Sequence, residues 1–395
     1  MITRSSVRGA LAGAGFALCT VSLLPPPAAA ATRDDPLPPP RPASVNKALL
    51  HRPGTHVRLR PGAPRLPREV SALSWLVADA ATGEVLAARD AHRRLPPAST
   101  MKTLFALTAL PRLSPAALHT VTATELSGVG EGSSVVGVTP GGTYRIADLW
   151  RGVFLSSGND AVHVLAELNG GWKVTAAQMQ AKARALGALD TRVVSPDGYD
   201  APGQVSSAYD LAVFGRSGLA DPQFAQYAAT VDTRFPGGTR RDGSPTWTFG
   251  IRNTNRLLTG ADGVKKYPGI IGLKNGYTSH AGHTLIAAAH RGSRRLLVTV
   301  MNPQKGGGHA VYEEARSLLD WGFSAAGRVH PVGSLTPPAG LRDAPTAPVP
   351  AAQAAALEES GSGSAYSWLA ALVGAACLTA GVIMWTRGGR RRRPR

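Results

Sequence analysis

A serine and a lysine stand three residues apart in Ser99-Thr100-Met101-Lys102, and a helix is predicted to begin at Ser99 and continue through MKTLFALTAL. Three residues make about one helical turn, so the hydroxyl and the amine face the same way and lie within reach of each other. A neutral lysine amine can remove the serine proton, provided that burial or a second cation lowers the lysine pKa. The pair therefore predicts a serine nucleophile with a lysine base.

The same spacing occurs a second time, in Ser44–Lys47. This copy lies in a segment rich in proline and arginine, where no sustained apolar period predicts a core that could hold its geometry. We therefore assign the nucleophile to Ser99.

A second motif, Ser157-Gly158-Asn159, directly precedes a predicted helix over 159–168. A hydroxyl and an amide on either side of a glycine could line a cleft. Serine and asparagine are also the residues that commonly cap helix N-termini. Taken alone, the motif favours the ordinary cap.

A third motif, Lys274-Asn275-Gly276-Tyr277-Thr278, follows the apolar run GIIGL. A lysine at the end of a strand can place a cation in a cleft, and a glycine there lets a substrate backbone approach closely. The alternative is a hairpin turn with a solvated lysine. A looser copy of the motif, which begins at residue 305, lies in a glycine-rich loop.

The elements that must position these motifs are strands at both ends of the core with helices between them. Strands are predicted at Ser74–Asp79 and Glu84–Arg89, around a turn that ends in glycine, and again at Gly282–His290 and Arg295–Met301. A closing helix is predicted at Val311–Trp321. The pattern indicates an α/β fold in which the first and last parts of the core meet in one sheet.

Taken in order, Ser-x-x-Lys, Ser-x-Asn and Lys-x-Gly resemble the motifs of the penicillin-recognising serine enzymes. Five longer segments also resemble segments of these enzymes and occur in the same order along the chain: PPASTMKT, SSGNDAV, SPDGYDAPGQVSSAYDLA, NTNRLL and GLKNGYTSHAGHTLIAAA. From about Ser71 to Trp321 the chain resembles the serine-type D-alanyl-D-alanine carboxypeptidases, the low-molecular-mass penicillin-binding proteins of the S11 peptidase family. The resemblance implies an α/β (α+β) fold of the β-lactamase type, with an antiparallel sheet flanked by helices and a helical lobe.

The resemblance also implies a role for each motif residue. Ser99 would attack the carbonyl between the two terminal D-Ala residues of a peptidoglycan stem peptide, and Lys102 would be the base in acylation. Ser157 would relay a proton to the leaving amine, while Asn159 would bond the substrate backbone and steady Lys102. Lys274 would lower the Lys102 pKa and attract the substrate carboxylate.

The rest of the third motif would bind substrate in the same scheme. The backbone N–H groups of Ser99 and Tyr277 would form the oxyanion hole, with Asn275, Gly276 and Thr278 beside it. Water would hydrolyse the acyl-enzyme, β-lactams would acylate the same serine, and no cofactor or metal is expected. Asn275 departs from the threonine usual in the family, which leaves substrate preference and β-lactam affinity open.

Other functions remain as alternatives. A class A β-lactamase would need a deacylating glutamate on a separate loop, whereas Glu167 falls inside the helix that begins at Asn159. A non-catalytic wall-binding or scaffold protein is supported by one sequence feature, the departure from the family motif at Asn275. A Ser-His-Asp hydrolase would need a Gly-x-Ser-x-Gly elbow, which the chain lacks. Three histidines near the third motif have no HExxH partner, so they are expected at surface or turn positions rather than on zinc: His280, His283 and His290.

The net charge of +18 over 395 residues is unevenly distributed. The segment 70–339 carries +7, the segment 32–69 carries +5 and the tail 365–395 carries +6. No zinc-finger spacing or aromatic-plus-basic RNA signature accompanies the charge, so no nucleic-acid partner is expected. Both cysteines lie in terminal apolar runs, which excludes a disulfide framework or a cysteine nucleophile between them.

Both ends of the chain carry targeting signals. Two arginines, the uncharged run Gly9–Leu24 and small residues up to Ala31 predict a signal peptide. The uncharged run Trp368–Trp385, followed by six arginines, predicts a single membrane helix with a cytoplasmic tail and an extracytoplasmic catalytic domain. The expected organisation is a signal peptide (1–31), a Pro/Arg-rich linker (32–69), the catalytic domain (70–330), a Pro/Ala/Gly linker (331–364), the transmembrane helix (365–386) and the basic tail (387–395).

Overall fold

The computed structural model describes residues 47–240 and 244–336. The signal peptide, the membrane helix and the basic tail expected at the ends lie outside these residues. The strands are β1 (Thr55–Leu59), β2 (Ser74–Asp79), β3 (Glu84–Arg89), β4 (Leu118–Thr120), β5 (Thr143–Arg145), β6 (Asp232–Thr239), β7 (Pro245–Arg252), β8 (Ile270–Thr278), β9 (Gly282–Arg291), β10 (Arg294–Met301), β11 (Val329–His330) and β12 (Gly333–Ser334).

Most of the helices lie between β3 and β8 in the chain. Their bounds are α1 (Lys102–Ala109), α2 (Ala123–Leu126), α3 (Ile146–Leu155), α4 (Asn159–Leu168), α5 (Trp172–Ala185), α6 (Ala208–Leu219), α7 (Pro222–Ala229), α8 (Arg256–Thr259) and α9 (Ala310–Ala325). No helix in the part of the chain that the structure describes is both long and apolar enough to cross a membrane.

One antiparallel sheet organises the fold, with the strand order β11-β1-β3-β2-β10-β9-β8 and β12 paired to β3. Side chains alternate between its two faces, as a pleated strand requires. On β2, Leu76 belongs to the apolar cluster that includes α1, α3, α4 and α6, whereas Val77 belongs to the cluster that includes α9. The sheet is therefore covered on both faces, and the α/β prediction, with an antiparallel sheet and a helical lobe, is confirmed.

The two ends of the core meet at the centre of this sheet, as predicted. β2 pairs with β10 along its whole length, from Ser74 opposite Met301 to Asp79 opposite Leu296. The β2–β3 turn is held by the Asp79 carboxylate, which accepts from the backbone N–H groups of two turn residues at 2.9 and 3.0 Å. Gly83 closes this turn with φ +79°, a value that few other residues adopt.

Parts of both predicted linkers form strands of the sheet. β1 pairs with Ala87–Arg89 of β3, and β12 pairs with Glu84 and Val85 of the same strand. Leu50, before β1, is buried against Gly333. For residues 47–59 and 333–334 the linker prediction is wrong, because short strands without an apolar run can complete the edge of an existing sheet.

Candidate functional site

Ser99 and Lys102 occupy a tight turn that leads into α1. The predicted helix start at Ser99 is instead a short 3-10 segment, Ala98–Met101, and the α-helix begins at Lys102. The Lys102 Nζ lies 2.8 Å from the Ser99 Oγ. The spacing in the sequence therefore produces direct contact between the amine and the hydroxyl.

Lys102 is 1% exposed, and burial lowers the pKa of its amine to about 8. The negative charges of Asp197 and Asp160 oppose this shift. The Nζ also donates to the backbone carbonyl of Asp197 at 2.7 Å, so the amine is held from two sides. A lysine with such a pKa is partly neutral near physiological pH, as a general base must be.

The Ser157-Gly158-Asn159 motif does not act as a side-chain cap. α4 begins at Asn159 without any side-chain capping bond, and Ser157 adopts φ +58°. Both side chains are buried; the Ser157 Oγ and the Asn159 Oδ1 have no hydrogen-bond partner among the described residues. Buried polar atoms without partners are costly, and these two belong to the motif predicted to act on the substrate. The cap alternative that the motif favoured is wrong.

The loop opposite Asn159 is held by the next residue of α4. The Asp160 carboxylate accepts from the backbone N–H groups of Val136, Gly137 and Val138 at 2.8–3.1 Å. In the same loop the Ser133 Oγ accepts from the Asn159 Nδ2 at 3.0 Å. Asp160 thus determines where Ser133 stands relative to Asn159, a function that no pattern in the sequence indicated.

The third motif lies inside β8 rather than at a strand end or in a turn. A β-bulge between Ile270 and Gly272 precedes it, and Leu273 has φ +116°. Bulges redirect the side chains that follow them. Here the redirected side chain is that of Lys274, which is 1% exposed and donates to the backbone carbonyl of Asn275 at 2.8 Å.

The two buried lysines influence each other. The pKa of Lys274 is well below the usual value, because of burial first and of the charge on Lys102 second. The charge that acts is thus that of Lys102 on Lys274, the reverse of the expected direction, whereas burial lowers the pKa of Lys102. Electrostatic coupling between two titrating groups is reciprocal, so a charge on either amine disfavours a charge on the other.

Gly276 brings β8 against the nucleophile. A Cβ at this position would stand 2.7 Å from the Ser99 backbone N and 2.8 Å from the Thr284 Oγ1. Only glycine allows this approach. The structure therefore places the backbone of the third motif beside the Ser99 amide, where the oxyanion hole was expected.

A cleft of about 330 Å³ opens over these residues. The predicted site residues Ser99, Asn159, Tyr277 and Thr278 line it. The other predicted site residues do not line it: Lys102, Ser157, Lys274, Asn275 and Gly276. Ser157 and the two lysines are buried, and Asn275 accepts from the Thr254 Oγ1 at 2.9 Å. The cleft is thus formed by parts of all three motifs, which are distant in the sequence.

No sequence motif indicated a role for several of the residues in and around the cleft. The Asp200 carboxylate accepts from the Thr278 Oγ1 at 2.7 Å, and the Tyr199 Oη donates to the Glu131 carbonyl at 2.8 Å. The Asp-Gly pair at 197–198, a typical turn signal, could have indicated this loop. Its Gly198 has φ +82°, and a Cβ there would stand 2.0 Å from the Ala98 carbonyl oxygen.

Each motif contains or directly follows a residue other than glycine with left-handed backbone. These residues are Ala98 (φ +49°), Ser157 (φ +58°) and Leu273 (φ +116°). Such conformations cost about 1–3 kcal/mol each and concentrate at functional sites. Their position at all three motifs is an independent sign that this cleft is the functional site.

The three histidines near the third motif differ in their surroundings. His280 and His290 are exposed, as predicted, and His280 lies 3.8 Å from Asp200. His283 is partly buried and packs against Tyr277, with ring centroids 4.6 Å apart and the rings tilted by 37°. In the described ranges, no three histidine, cysteine, aspartate or glutamate side chains are grouped so that they could hold a metal ion.

Known proteins are similar to this chain over most of the region that contains the three motifs. Residues 60–305 match the sequence profile of the D-alanyl-D-alanine carboxypeptidases of peptidase family S11. D-alanyl-D-alanine carboxypeptidase DacB2 of Mycobacterium tuberculosis is 40% identical over 257 residues, which span 64% of this chain and 82% of that protein. D-alanyl-D-alanine carboxypeptidase DacD of Escherichia coli is 34% identical, over 65% of this chain and 64% of that protein.

Solved structures resemble the fold over a similar length. The crystal structure of a D-alanyl-D-alanine carboxypeptidase from Mycobacterium tuberculosis has a TM-score of 0.61 and 38% identity, covering 70% of this chain and 99% of that one. A mutant of the Streptomyces K15 DD-transpeptidase has a TM-score of 0.60 and 25% identity, covering 66% of this chain and 99% of that one. The likeness therefore extends over nearly all of each solved chain.

Proposed function

Because the chain belongs to the D-alanyl-D-alanine carboxypeptidases of peptidase family S11, we propose that it removes the terminal D-Ala from peptidoglycan stem peptides through an acyl-enzyme on Ser99. The observation that carries this proposal is the 2.8 Å contact between the Ser99 Oγ and a buried lysine amine. A retained fold without activity would not need such a contact, so the scaffold alternative has less support.

In the acylation step, neutral Lys102 takes the proton of Ser99 as the Oγ attacks the carbonyl carbon of the penultimate D-Ala. With a pKa of about 8, roughly a tenth of the amines are neutral at pH 7. The C–N bond then breaks and free D-Ala leaves after gaining a proton. The unpartnered Ser157 Oγ is suited to relay that proton from Lys102.

The charge of the tetrahedral intermediate falls on the oxygen of the attacked carbonyl. The backbone N–H groups of Ser99 and Tyr277 would bind it, a contribution of about 3 kcal/mol per donor in other enzymes. β8 is the outer strand of the sheet, so it keeps backbone groups unpaired with which an extended peptide can bond. The contact between Gly276 and the Ser99 amide supports this arrangement.

Substrate binding would also give the two lysines different protonation states. A substrate carboxylate near Lys274 would raise the pKa of Lys274 and keep it charged. That charge would in turn lower the pKa of Lys102, since the coupling is reciprocal. The substrate thus favours the state in which Lys102 is the neutral base and Lys274 the cation.

Penicillin would follow the same route as far as the acyl-enzyme. Its strained amide presents a carbonyl and a carboxylate, as the D-Ala-D-Ala terminus does. Mass spectrometry of the full-length chain with benzylpenicillin should show a covalent adduct, and a D-Ala-D-Ala peptide should release D-Ala. Ser99→Ala should abolish both, whereas Ser44→Ala, in the second Ser-x-x-Lys copy, should change neither. An adduct or D-Ala release that survives in Ser99→Ala would refute the mechanism.

We propose further that the enzyme works outside the cytoplasm, tethered to the cell membrane by residues 365–386. The sequence pattern at both ends supports this localisation: an exported N-terminus, and an uncharged run followed by arginines. Deletion of 365–395 should move the protein from the membrane fraction to the extracytoplasmic soluble fraction. A deleted protein that stays membrane-bound would contradict the tether.

A further inference from the structure

We propose that Thr254 and Tyr312 are positioning residues that orient the side-chain amide of Asn275, so that an N–H donor rather than the carbonyl oxygen faces the substrate carboxylate. The inference rests on the proposed function, because it concerns how that site holds its substrate. It also accounts for the asparagine that replaces threonine in the third motif.

Asn275 lies where its side chain can reach a bound substrate. It precedes Gly276, which touches the Ser99 amide, and it lies two residues before Tyr277 on β8. Residues two apart on a strand share a face. The Tyr277 side chain is 62% exposed and lines the cleft, so Asn275 lies on the same face of β8, beside the lining residues.

Thr254 provides the first contact with the amide. Its Oγ1 donates to the Asn275 Oδ1 at 2.9 Å. The Thr254 backbone is itself held on both sides: its N–H donates to the Leu155 carbonyl at 3.0 Å, and its carbonyl accepts from the Tyr312 Oη at 3.3 Å. The Thr254 hydroxyl that contacts Asn275 is therefore carried by a backbone that hydrogen bonds hold in place.

Tyr312 supports this arrangement through the Thr254 backbone. Its side chain is buried in α9, and its only hydroxyl proton is used on the Thr254 carbonyl. With that proton committed, the Tyr312 oxygen can act toward a neighbouring amide only as an acceptor. In keeping with this, the Asn275 side chain opposes the rise in the Tyr312 pKa that burial produces.

The Thr254 contact leaves the amide nitrogen to face the substrate. With the Asn275 Oδ1 held by Thr254, an N–H of the same amide can donate to a carboxylate. A reversed amide would present its oxygen instead and repel the negative charge. A threonine hydroxyl at this position can rotate to donate, so it would need no orienting partner.

The test is a double-mutant cycle on the full-length chain, with KM and kcat for D-Ala release as the readout. Tyr312→Phe should raise KM about tenfold, the loss of one oriented hydrogen bond to a charged group, and leave kcat within about twofold. In an Asn275→Thr background the same change should have almost no effect on KM. An equal KM increase in both backgrounds would overturn the proposal, because it would indicate general destabilisation.

Two matched variants sharpen the result. Tyr267→Phe removes another buried tyrosine hydroxyl, which donates to Asp320 at 2.9 Å, and should leave KM unchanged. Thr254→Val should raise KM as Tyr312→Phe does, whereas Thr254→Ser, which keeps the donor, should not. A KM increase in Tyr267→Phe equal to that in Tyr312→Phe would also overturn the proposal.

A readout independent of activity separates this inference from the proposed function. The side-chain amide of Asn275 can be observed by NMR in protein labelled with 15N at asparagine. Tyr312→Phe should shift the two Asn275 amide proton signals, and Tyr267→Phe should not. Unchanged signals in Tyr312→Phe would refute the orienting role, whereas a wild-type protein that releases no D-Ala would refute only the carboxypeptidase proposal.

Discussion

At the residue scale, the reactivity of Ser99 depends on how much of Lys102 carries a free lone pair. The amine and the hydroxyl are 2.8 Å apart, but a protonated amine cannot accept a proton. In the proposed mechanism the amine pKa of about 8 therefore determines the pH range of acylation. A nearby histidine does not obscure this range, because burial lowers the pKa of His163 below its usual 6.5.

The rate of acylation by penicillin should rise about tenfold per pH unit below pH 8, and it should fall again at higher pH, where Lys274 loses the charge that meets the carboxylate. The sign follows from the base: raising the pH deprotonates Lys102 and enlarges the reactive fraction. Stopped-flow acylation between pH 6 and pH 10 measures the profile, with Ser99→Ala as the blank. A flat profile, or a midpoint near the ordinary lysine value of about 10.4, would contradict the assignment of Lys102 as base.

The sequence allows prediction of contacts between neighbours in the chain and misses those between distant residues. The Ser99–Lys102 pair follows from a spacing of three, and the structure confirms the contact. The Lys102 contact with Asp197 spans 95 residues, and no local pattern indicates it. The cap by Ser157 or Asn159, which the motif favoured when taken alone, was wrong for a related reason: the Asn159 side chain donates to Ser133 in a distant loop instead of capping the helix.

At the scale of elements, the cleft depends on loops held by single residues. Asp160 holds the loop over 136–138, and Gly198 lets the loop over 197–200 approach the turn before Ser99. Neither residue touches the reacting atoms. Changes at these positions should therefore act through the geometry of the elements that they join.

Asp160→Asn should loosen the loop and shift the pH profile. The amide offers one acceptor oxygen in place of two, so amide hydrogen exchange at 136–138 should become faster. The Asp160 charge raises the Lys102 pKa, so its removal should move the midpoint of acylation to lower pH. Asp148→Asn, a control on the neighbouring helix α3, should leave the midpoint in place. A midpoint that moves upward would show that the electrostatic argument is wrong.

Gly198→Ala should be far more damaging than an alanine at a comparable glycine. Both Gly198 (φ +82°) and Gly62 (φ +76°) have left-handed backbone, but a Cβ at Gly62 meets nothing within 4 Å. Gly62→Ala should therefore cost only backbone strain, about 1 kcal/mol. Gly198→Ala adds a clash with the Ala98 carbonyl and should also slow acylation about 100-fold or more, as displaced reacting groups do. Urea unfolding and acylation rates measure both effects, and equal losses in the two variants would refute the steric argument.

For the whole molecule, the sheet joins segments from both ends of the described chain. β1 and β12 share one edge of β3, and Leu50 packs on Gly333 between them. The sequence indicated only linkers here, because edge strands of two to five residues carry little apolar pattern. The central strands were predictable, because each buries a continuous apolar run in the sheet.

A fragment covering 70–336 should therefore be less stable than one covering 47–336. Loss of the buried Leu50 alone costs about 1.5–3 kcal/mol, and removal of β1 exposes backbone groups of Ala87–Arg89. Thermal unfolding followed by circular dichroism should show a lower Tm for the shorter fragment, together with concentration-dependent association through the exposed edge. Equal Tm values would mean that β1 contributes nothing to the fold.

The residues with left-handed backbone at the three motifs affect the temperature at which the protein loses activity. Ala98, Ser157 and Leu273 are held in costly conformations by the packing around them, so relaxation there releases energy before the sheet melts. Warming should therefore abolish penicillin acylation several degrees below the calorimetric unfolding peak. On cooling from that temperature interval, activity should return, because the sheet against which the motif segments pack has stayed folded.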